Sequence, residues 1–155
     1  MTPAIDLLVK RNIAHLIHEY QHDPACKAYG LEAAEKIGVS AEQVFKTLVV
    51  KLDGKQLAVA IIPVGEMLSM KAIAKASKAK KAVMAEAAEV QRSSGYVLGG
   101  VSPLGQKRVL ATMIHESAAT LEKIYVSGGR RGLDIELAPK DLKQLLNAQF
   151  SPLTA

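Results

Sequence analysis

Two apolar segments, residues 45–52 and 57–62, constrain the fold of this chain more than any other feature, because Asp53-Gly54 stands between them. An Asp-Gly pair between two such runs is a strong signal for a β-hairpin with a tight turn. Both segments are apolar at odd and even positions alike. We therefore expect two central strands that are covered on both faces by other parts of the chain.

The other expected elements surround this hairpin without a regular alternation of strands and helices. The patterns predict helices that begin at Thr2-Pro3 and at Ala138-Pro139, and helices over 30–38, 70–78 and 85–92. They predict strands over 13–20, 82–84 and 109–114, and a second hairpin over 121–126 and 133–137. The sequence thus indicates one α+β domain of 155 residues around a curved mixed sheet.

Composition excludes several classes of protein. There is no run of eighteen apolar residues and no basic segment followed by an apolar one at the start, so neither a membrane span nor a secretory signal is expected. The single cysteine, Cys26, has no partner for a disulfide, which suits a reducing cytoplasm. The net charge of +5 favours a polyanionic partner, although an ordinary solvated surface explains so modest an excess equally well.

Two glycine-rich segments, residues 93–105 and 127–132, are the first candidate site. The former holds four of the eleven glycines of the chain. Its glycines do not have the spacing of the Rossmann pattern, since Gly95 and Gly99 are four residues apart. The Walker pattern is excluded because no Gly-Lys-Ser/Thr follows. Such loops can present bare N–H groups to a carbonyl or phosphate oxygen. The alternative is a structural loop in which glycine only permits tight turns.

Lys46 is the candidate functional cation. It shares one face of its predicted strand with Leu48 and Val50, and a buried ammonium has to be paired, neutralised or directed at a polar cavity. The alternative is a lysine at the end of a strand whose side chain extends into water.

Asp134 and Glu136 alternate with apolar residues, so both carboxylates are expected on one strand face, roughly 7 Å apart. They could form an acid and base pair. The simpler alternative is that they lie on the solvent-exposed face of an antiparallel strand.

Two further candidates are weak. A strand over 13–20 extended to His22 would place His18 and His22 on one face and His15 on the other, which is a poor chelate for a metal. Cys26 has no supporting motif for a nucleophile. We expect no metal site.

Several motifs together resemble one known family. In chain order they are MTPA at 1–4, HDP at 22–24, FKTL at 45–48, GYVLGGVSPLG at 95–105, IYVSGG at 124–129 and LDIEL at 133–137. The chain resembles the YbaK proteins, free-standing bacterial Cys-tRNA(Pro) deacylases that are related to the editing domain of bacterial prolyl-tRNA synthetase. The likeness extends over nearly the whole chain.

The resemblance implies a barrel-like mixed sheet with surrounding helices, and residues 1–155 acting as a single aminoacyl-tRNA editing domain. It implies trans-editing, in which cysteine is hydrolysed from mischarged Cys-tRNA(Pro), with prolyl-tRNA synthetase as a further partner and without a cofactor or metal. Deacylation of another small amino acid such as alanine, or a non-catalytic module that binds tRNA or the synthetase, remain alternatives.

The resemblance also implies roles for individual residues. Lys46 would hold the phosphate of the terminal nucleotide or the developing oxyanion. The amides near Gly99 and Gly100 would help to place the ester. The other matching positions would form the substrate pocket: Tyr20, Tyr29, Thr47, Ser127 and Asp134.

Among these, Tyr20 and Tyr29 could wall the pocket or stack on the terminal adenine, and Asp134 could receive the α-ammonium group. No Ser/His/Asp triad is visible in the sequence, and the family suggests that the thiol of the cysteine substrate attacks its own ester carbonyl.

Overall fold

The computed structural model describes residues 1–155, which form five α-helices, two short 3-10 helices and eight strands. The helices are α1 (Pro3–Lys10), α2 (Tyr29–Ile37), α3 (Met70–Ala76), α4 (Ala87–Ser94) and α5 (Pro139–Leu146). The strands are β1 (Leu16–Glu19), β2 (Phe45–Leu52), β3 (Gln56–Pro63), β4 (Ala82–Met84), β5 (Ala111–His115), β6 (Ile124–Arg130), β7 (Leu133–Leu137) and β8 (Gln149–Ser151). None of the helices has the length and apolar composition that a membrane span requires.

The strands form two sheets. One is antiparallel with the order β1-β7-β6, and the other is mixed with the order β4-β2-β3-β5-β8. A single isolated bridge between Val44 and Tyr125 joins them. The predicted α+β class is confirmed, but the barrel-like sheet is wrong. Val44 lies just before β2, and no residue of β2 itself pairs with β6, so the two sheets stay separate and keep open edges.

The predicted hairpin of β2 and β3 is confirmed as the centre of the larger sheet. Asp53 and Gly54 have φ angles of 51° and 71°, as expected for a tight turn that requires positive φ at both positions. Alternate residues of the two strands enter two different hydrophobic clusters. One cluster contains Val49, Val59 and Ile61, and the other contains Val50, Ala60 and Ile62. Both faces of the hairpin are therefore covered.

The helices begin and end close to the predicted positions because their signals are local. The Thr2 side chain accepts the N–H of Ile5 at the start of α1, and Pro3 follows it. Gly38 ends α2 in the left-handed conformation, with φ of 87°.

The strands at the sheet edges differ more from the prediction. The first strand ends at Glu19, so Tyr20 and His22 lie in the loop that follows it. The three residues of β8 were not predicted, because so short a segment has no pattern of its own; its strand conformation comes from parallel pairing with β5.

Candidate active site

A cavity of about 440 Å³ lies where the start of β2, the start of α2, the first glycine-rich loop and the hairpin of β6 and β7 meet. Its volume is within the usual range for a small-molecule site. It contains every residue predicted for the site except Gly100. Those residues are Tyr20, Tyr29, Lys46, Thr47, Gly99, Ser127 and Asp134.

The Lys46 side chain enters this cavity from the end of an apolar strand face. Leu48 and Val50 on the same face pack into the cluster covered by α3, whereas Lys46 lies beyond it. Burial lowers the pKa of Lys46, and the negative charge of Glu66 partly opposes that shift. The ammonium forms no ion pair. It is thus a half-buried cation with its charge available to a ligand.

The glycines of the first loop divide into structural and cavity-facing positions. Gly95 ends α4 with φ of 84°, and Gly105 packs against the backbone of Pro3. Gly99 lines the cavity with φ of 89°, and its N–H makes no hydrogen bond within the chain. The buried Gly100 donates its N–H to the carbonyl oxygen of Val97, so that amide is not available to a ligand. The expectation of a shared Gly99 and Gly100 cradle is therefore corrected to one free amide.

Arg131 lines the cavity and joins the start of α2 to the first glycine-rich loop. Its guanidinium lies 4.2 Å from the centre of the Tyr29 ring, and its Nη2 donates to the carbonyl oxygen of Leu98 at 3.1 Å. A Cβ on Gly99 would stand 2.5 Å from Nε of Arg131. The guanidinium already covers one side of Tyr29, so the predicted stacking of adenine on that ring has to use a different surface.

Asp134 is the buried acid of the cavity. Only 6% of the residue is exposed, which excludes the wet strand face considered from the sequence. Burial raises its pKa to about 7, and nearby His18 opposes the shift. The Tyr20 hydroxyl is also affected, since burial and then the charge of Asp134 raise its pKa to about 12. This corner of the cavity therefore holds a carboxyl group close to the midpoint of its titration at neutral pH.

Glu136 does not join Asp134 in the cavity and instead contacts His18. His18 Nε2 lies 2.7 Å from Glu136 Oε1, and Glu136 does not line the cavity. The interpretation of an acid and base pair is not supported by this arrangement. His22 lies outside β1, so the expected shared face with His18 is also wrong; its Nδ1 lies 2.6 Å from Glu32 Oε1.

Two hydroxyl groups complete the predicted set. Ser127 Oγ accepts the N–H of Gly129 at 3.1 Å, at the irregularity where β6 bulges. Thr47 Oγ1 is buried and has no hydrogen-bond partner. Its capacity to form a hydrogen bond is unused in the free protein.

Sequence reasoning did not assign the other three cations of the cavity, which are Lys27, Arg130 and Arg131. The Arg-Arg pair had a signal, because it lies inside the second glycine-rich segment. No sequence signal pointed to Lys27 or to the effect of Glu66 on the pKa of Lys46, because both depend on how distant loops fold together. Cys26 does not line the cavity, and no three His, Cys, Asp or Glu side chains lie close enough to hold a metal ion.

The fold and the cavity together define an α+β domain with a small-ligand site in which four cations accompany one buried carboxyl group. The model of the aminoacyl-tRNA editing domain matches residues 23–145. The chain belongs to this aminoacyl-tRNA editing (YbaK-type) family, and the activity class is therefore aminoacyl-tRNA deacylation.

Three similar proteins illustrate the relationship. An Enterococcus faecalis protein with the name "Putative Cys-tRNA(Pro)/Cys-tRNA(Cys) deacylase EbsC" is 40% identical over 121 residues, which are 78% of this chain and 74% of that protein. The "Uncharacterized protein YwhH" of Bacillus subtilis is 29% identical over 73% of this chain and 71% of its own. A crystal structure described as a putative trans-editing enzyme for prolyl tRNA synthetase has a TM-score of 0.85 at 22% identity. It covers 100% of this chain and 98% of its own.

Proposed function

We propose that residues 1–155 act as one trans-editing domain that hydrolyses the ester of Cys-tRNA(Pro), with prolyl-tRNA synthetase as the partner that releases this substrate. The observation that carries the proposal is the unpaired Lys46 ammonium in one cavity with the free N–H of Gly99. The name of the Enterococcus relative at 40% identity supports the choice of a cysteinyl ester.

Such an enzyme meets a physical need. A synthetase site built for proline rejects a similarly small side chain poorly, because a difference of about one methylene is worth only about 1–3 kcal/mol. Removing the wrong product therefore needs a second site.

In this proposal Lys46 and Gly99 stabilise negative charge. The ammonium holds either the terminal phosphate or the oxyanion that forms when the ester carbonyl is attacked, and the Gly99 N–H donates to an oxygen of the ester. Desolvation within the cavity strengthens both interactions, since fewer water molecules compete with them.

Asp134 receives the α-ammonium group of the aminoacyl ester. Its pKa of about 7 in the empty cavity falls when that cation binds, so binding itself favours the carboxylate. The buried hydroxyl of Thr47 and the half-buried Ser127 lie in the same cavity and supply further polar contacts.

The substrate thiol supplies the nucleophile. A bond forms between the cysteine sulfur and the ester carbonyl carbon, the bond from that carbon to the ribose oxygen breaks, and the thiol proton passes to the departing ribose oxygen. The products are tRNA with a free hydroxyl and a cysteine thiolactone, which water then opens. Held geometry makes such an intramolecular attack fast.

The test is an amino acid release assay with purified protein and three substrates: Cys-tRNA(Pro), Ala-tRNA(Pro) and correctly charged Pro-tRNA(Pro). We expect release of cysteine at least tenfold faster than of alanine or proline. Faster release of alanine would identify an alanine-specific deacylase. Release from none of the three, with tRNA binding retained, would identify a binding module.

Ser-tRNA(Pro) tests the thiol step, because serine differs from cysteine only in the attacking atom. We expect the serine ester to react far more slowly at the same concentration. Equal rates for the two esters would exclude attack by the thiol.

A further inference from the structure

A second cavity, of about 590 Å³, lies at the opposite end of β2. It is bounded by the turn between β2 and β3, by the residues that follow α3, and by the segment that leads into β5. None of the residues assigned to the editing cavity lines it.

The charge of this second cavity is wholly positive. Lys55, Lys78 and Arg108 line it, and no aspartate or glutamate does. None of these three cations forms an ion pair within the chain. Asp53 in the neighbouring turn does not line the cavity, and its Oδ1 accepts the backbone N–H groups of Lys80 and Lys81.

The C-terminal end of α3 also points towards this cavity and carries partial negative charge. A helix end is equivalent to about half an elementary charge, against three full positive charges here. Moreover, its last carbonyl groups accept the N–H groups of Ser77, Lys78 and Ala79 and are not free. The cavity is therefore suited to an anion.

An unused hydroxyl links the second cavity to the first. The buried side-chain hydroxyls without a hydrogen-bond partner are Thr47 Oγ1 and Ser77 Oγ, and one of these residues lines each cavity. Buried polar groups are nearly always paired, so each of these exceptions calls for an explanation. Ser77 lines the second cavity, and a ligand oxygen there would be a partner for its hydroxyl.

The distance between the cavities limits what could occupy both. On β2 the nearest lining residues of the two cavities are Leu48 and Leu52, about 13 Å apart, and Lys46 lies about 20 Å from Leu52 along the extended strand. An aminoacyl ester alone is far too short for that distance. A polynucleotide carries phosphates at close intervals along its length and can reach it.

We propose that the second cavity binds phosphodiester groups of the tRNA whose aminoacyl end occupies the first. Lys55, Lys78 and Arg108 hold the phosphate oxygens, and the cavity adds affinity for the RNA body without contact to the reacting ester. The proposal rests on the tRNA substrate proposed above, but binding of uncharged tRNA tests it without any deacylation step.

The experiment compares two triple variants by fluorescence anisotropy with labelled uncharged tRNA over a range of salt concentrations. In K55Q/K78Q/R108Q we expect at least a tenfold loss of affinity at low salt. The slope of log affinity against log salt should fall by about 2, because each lost phosphate contact removes about 0.7–0.9. Circular dichroism checks that the variant is folded.

The matched control is K10Q/R11Q/K140Q, which removes the same charge from exposed positions that line neither cavity. It should retain most of the affinity and the wild-type slope. An equal loss in both variants would mean that only net charge matters and would overturn the proposal, as would no loss in the first.

Two additions make the result specific. Ser77→Ala should weaken tRNA binding about twofold to threefold, and an unchanged affinity would remove Ser77 from the contact. Inorganic phosphate titrated into wild-type protein distinguishes a free anion from RNA: tight phosphate binding without tRNA binding would overturn the proposal. If the protein did not hydrolyse Cys-tRNA(Pro) but tRNA binding changed in the variants as expected, the proposed function would be refuted and the second tRNA site would stand.

Discussion

The two cavities at the ends of β2 offer a comparison of two ways to attract an anion. The editing cavity has a half-buried lysine, a buried carboxyl group, a free backbone N–H and a guanidinium packed on the Tyr29 ring. The second cavity has three exposed cations and no carboxyl group. Both hold one buried hydroxyl without a partner.

The difference distinguishes the features that favour catalysis from those that favour binding. A group that is partly removed from water acts strongly on a nearby charge and can stabilise a transition state. Exposed cations act mainly through the release of counterions, which strengthens binding and makes it dependent on salt. We therefore expect the first cavity to govern reaction rate and the second to govern tRNA affinity.

The largest effect is expected from Lys46→Ala. Removal of the cation that β2 contributes to the editing cavity should lower kcat/KM for Cys-tRNA(Pro) by about 10²-fold or more, comparable to loss of an oxyanion-stabilising group. Lys140→Ala, on the exposed side of α5, is the control and should retain wild-type activity. If Lys46→Ala acts only through tRNA affinity, with kcat retained, the contrast between the two cavities fails.

Asp134→Asn should change the pH dependence of stability. The Asp134 pKa rises from 3.8 to about 7 on folding, so the folded state binds the proton more tightly. This contribution is fully present below about pH 4 and is lost as pH rises towards 7, by roughly 2–4 kcal/mol. The variant should lack that loss, which urea unfolding at pH 4.5 and pH 8 measures.

Exposed Glu35 supplies the control, because Glu35→Gln leaves the buried acid in place. Its stability should fall with pH as in the wild type. A wild-type protein whose stability rises between pH 4.5 and 8, with the same rise in Asp134→Asn, would show that Asp134 is not a destabilised buried acid.

Gly99→Ala separates the role of glycine in the site from its role in a turn. The new Cβ would lie 2.5 Å from Nε of Arg131 and 2.8 Å from Cε2 of Tyr29. We expect displacement of the guanidinium and about a tenfold loss of kcat/KM. This prediction assumes a loss of about 1.4 kcal/mol in transition-state stabilisation.

Gly54→Ala is the matched control for that variant. Gly54 also has a positive φ, of 71°, but no atom lies within 4 Å of the position of its Cβ. Both variants should lose about 1–2 kcal/mol of stability from the left-handed conformation, and only Gly99→Ala should lose activity. Equal activity in the two would indicate that Gly99 serves the turn alone.

The smallest effect is expected from the two unpartnered hydroxyls. Thr47→Val and Ser77→Ala each remove a buried polar group without a partner, so the free energy of unfolding should stay unchanged or increase by up to about 1 kcal/mol. Thermal unfolding of the protein without tRNA provides the measurement. A clear loss of stability in one variant would show that its hydroxyl forms a hydrogen bond in the free protein. The two cavities would then no longer share an unpartnered hydroxyl.

Much of the fold could be predicted from local signals. The Asp53-Gly54 turn, the Thr2 and Gly38 helix ends and the apolar patterns of the central hairpin each depend on neighbours in sequence. The barrel-like sheet was wrong because closure depends on which distant strands pair, and here the two sheets share a single bridge, between Val44 just before β2 and Tyr125 of β6.

The candidate site divides in the same way. Motif resemblance selected Lys46, Asp134 and Gly99, which do lie around one cavity, although their roles remain proposals. The burial of Asp134, the commitment of the Gly100 amide and the position of Arg131 over Tyr29 had no signal in the sequence. Each depends on segments that are far apart in the chain.

The sequence by itself determined the family, the central hairpin and the residue types available for chemistry, because these depend on pattern and local conformation. Only the tertiary structure decided which charges leave water and which hydrogen-bonding groups stay free. Those properties arise where β2, the first glycine-rich loop and the hairpin of β6 and β7 pack together. The sequence of any one of these segments does not determine how it packs against the others.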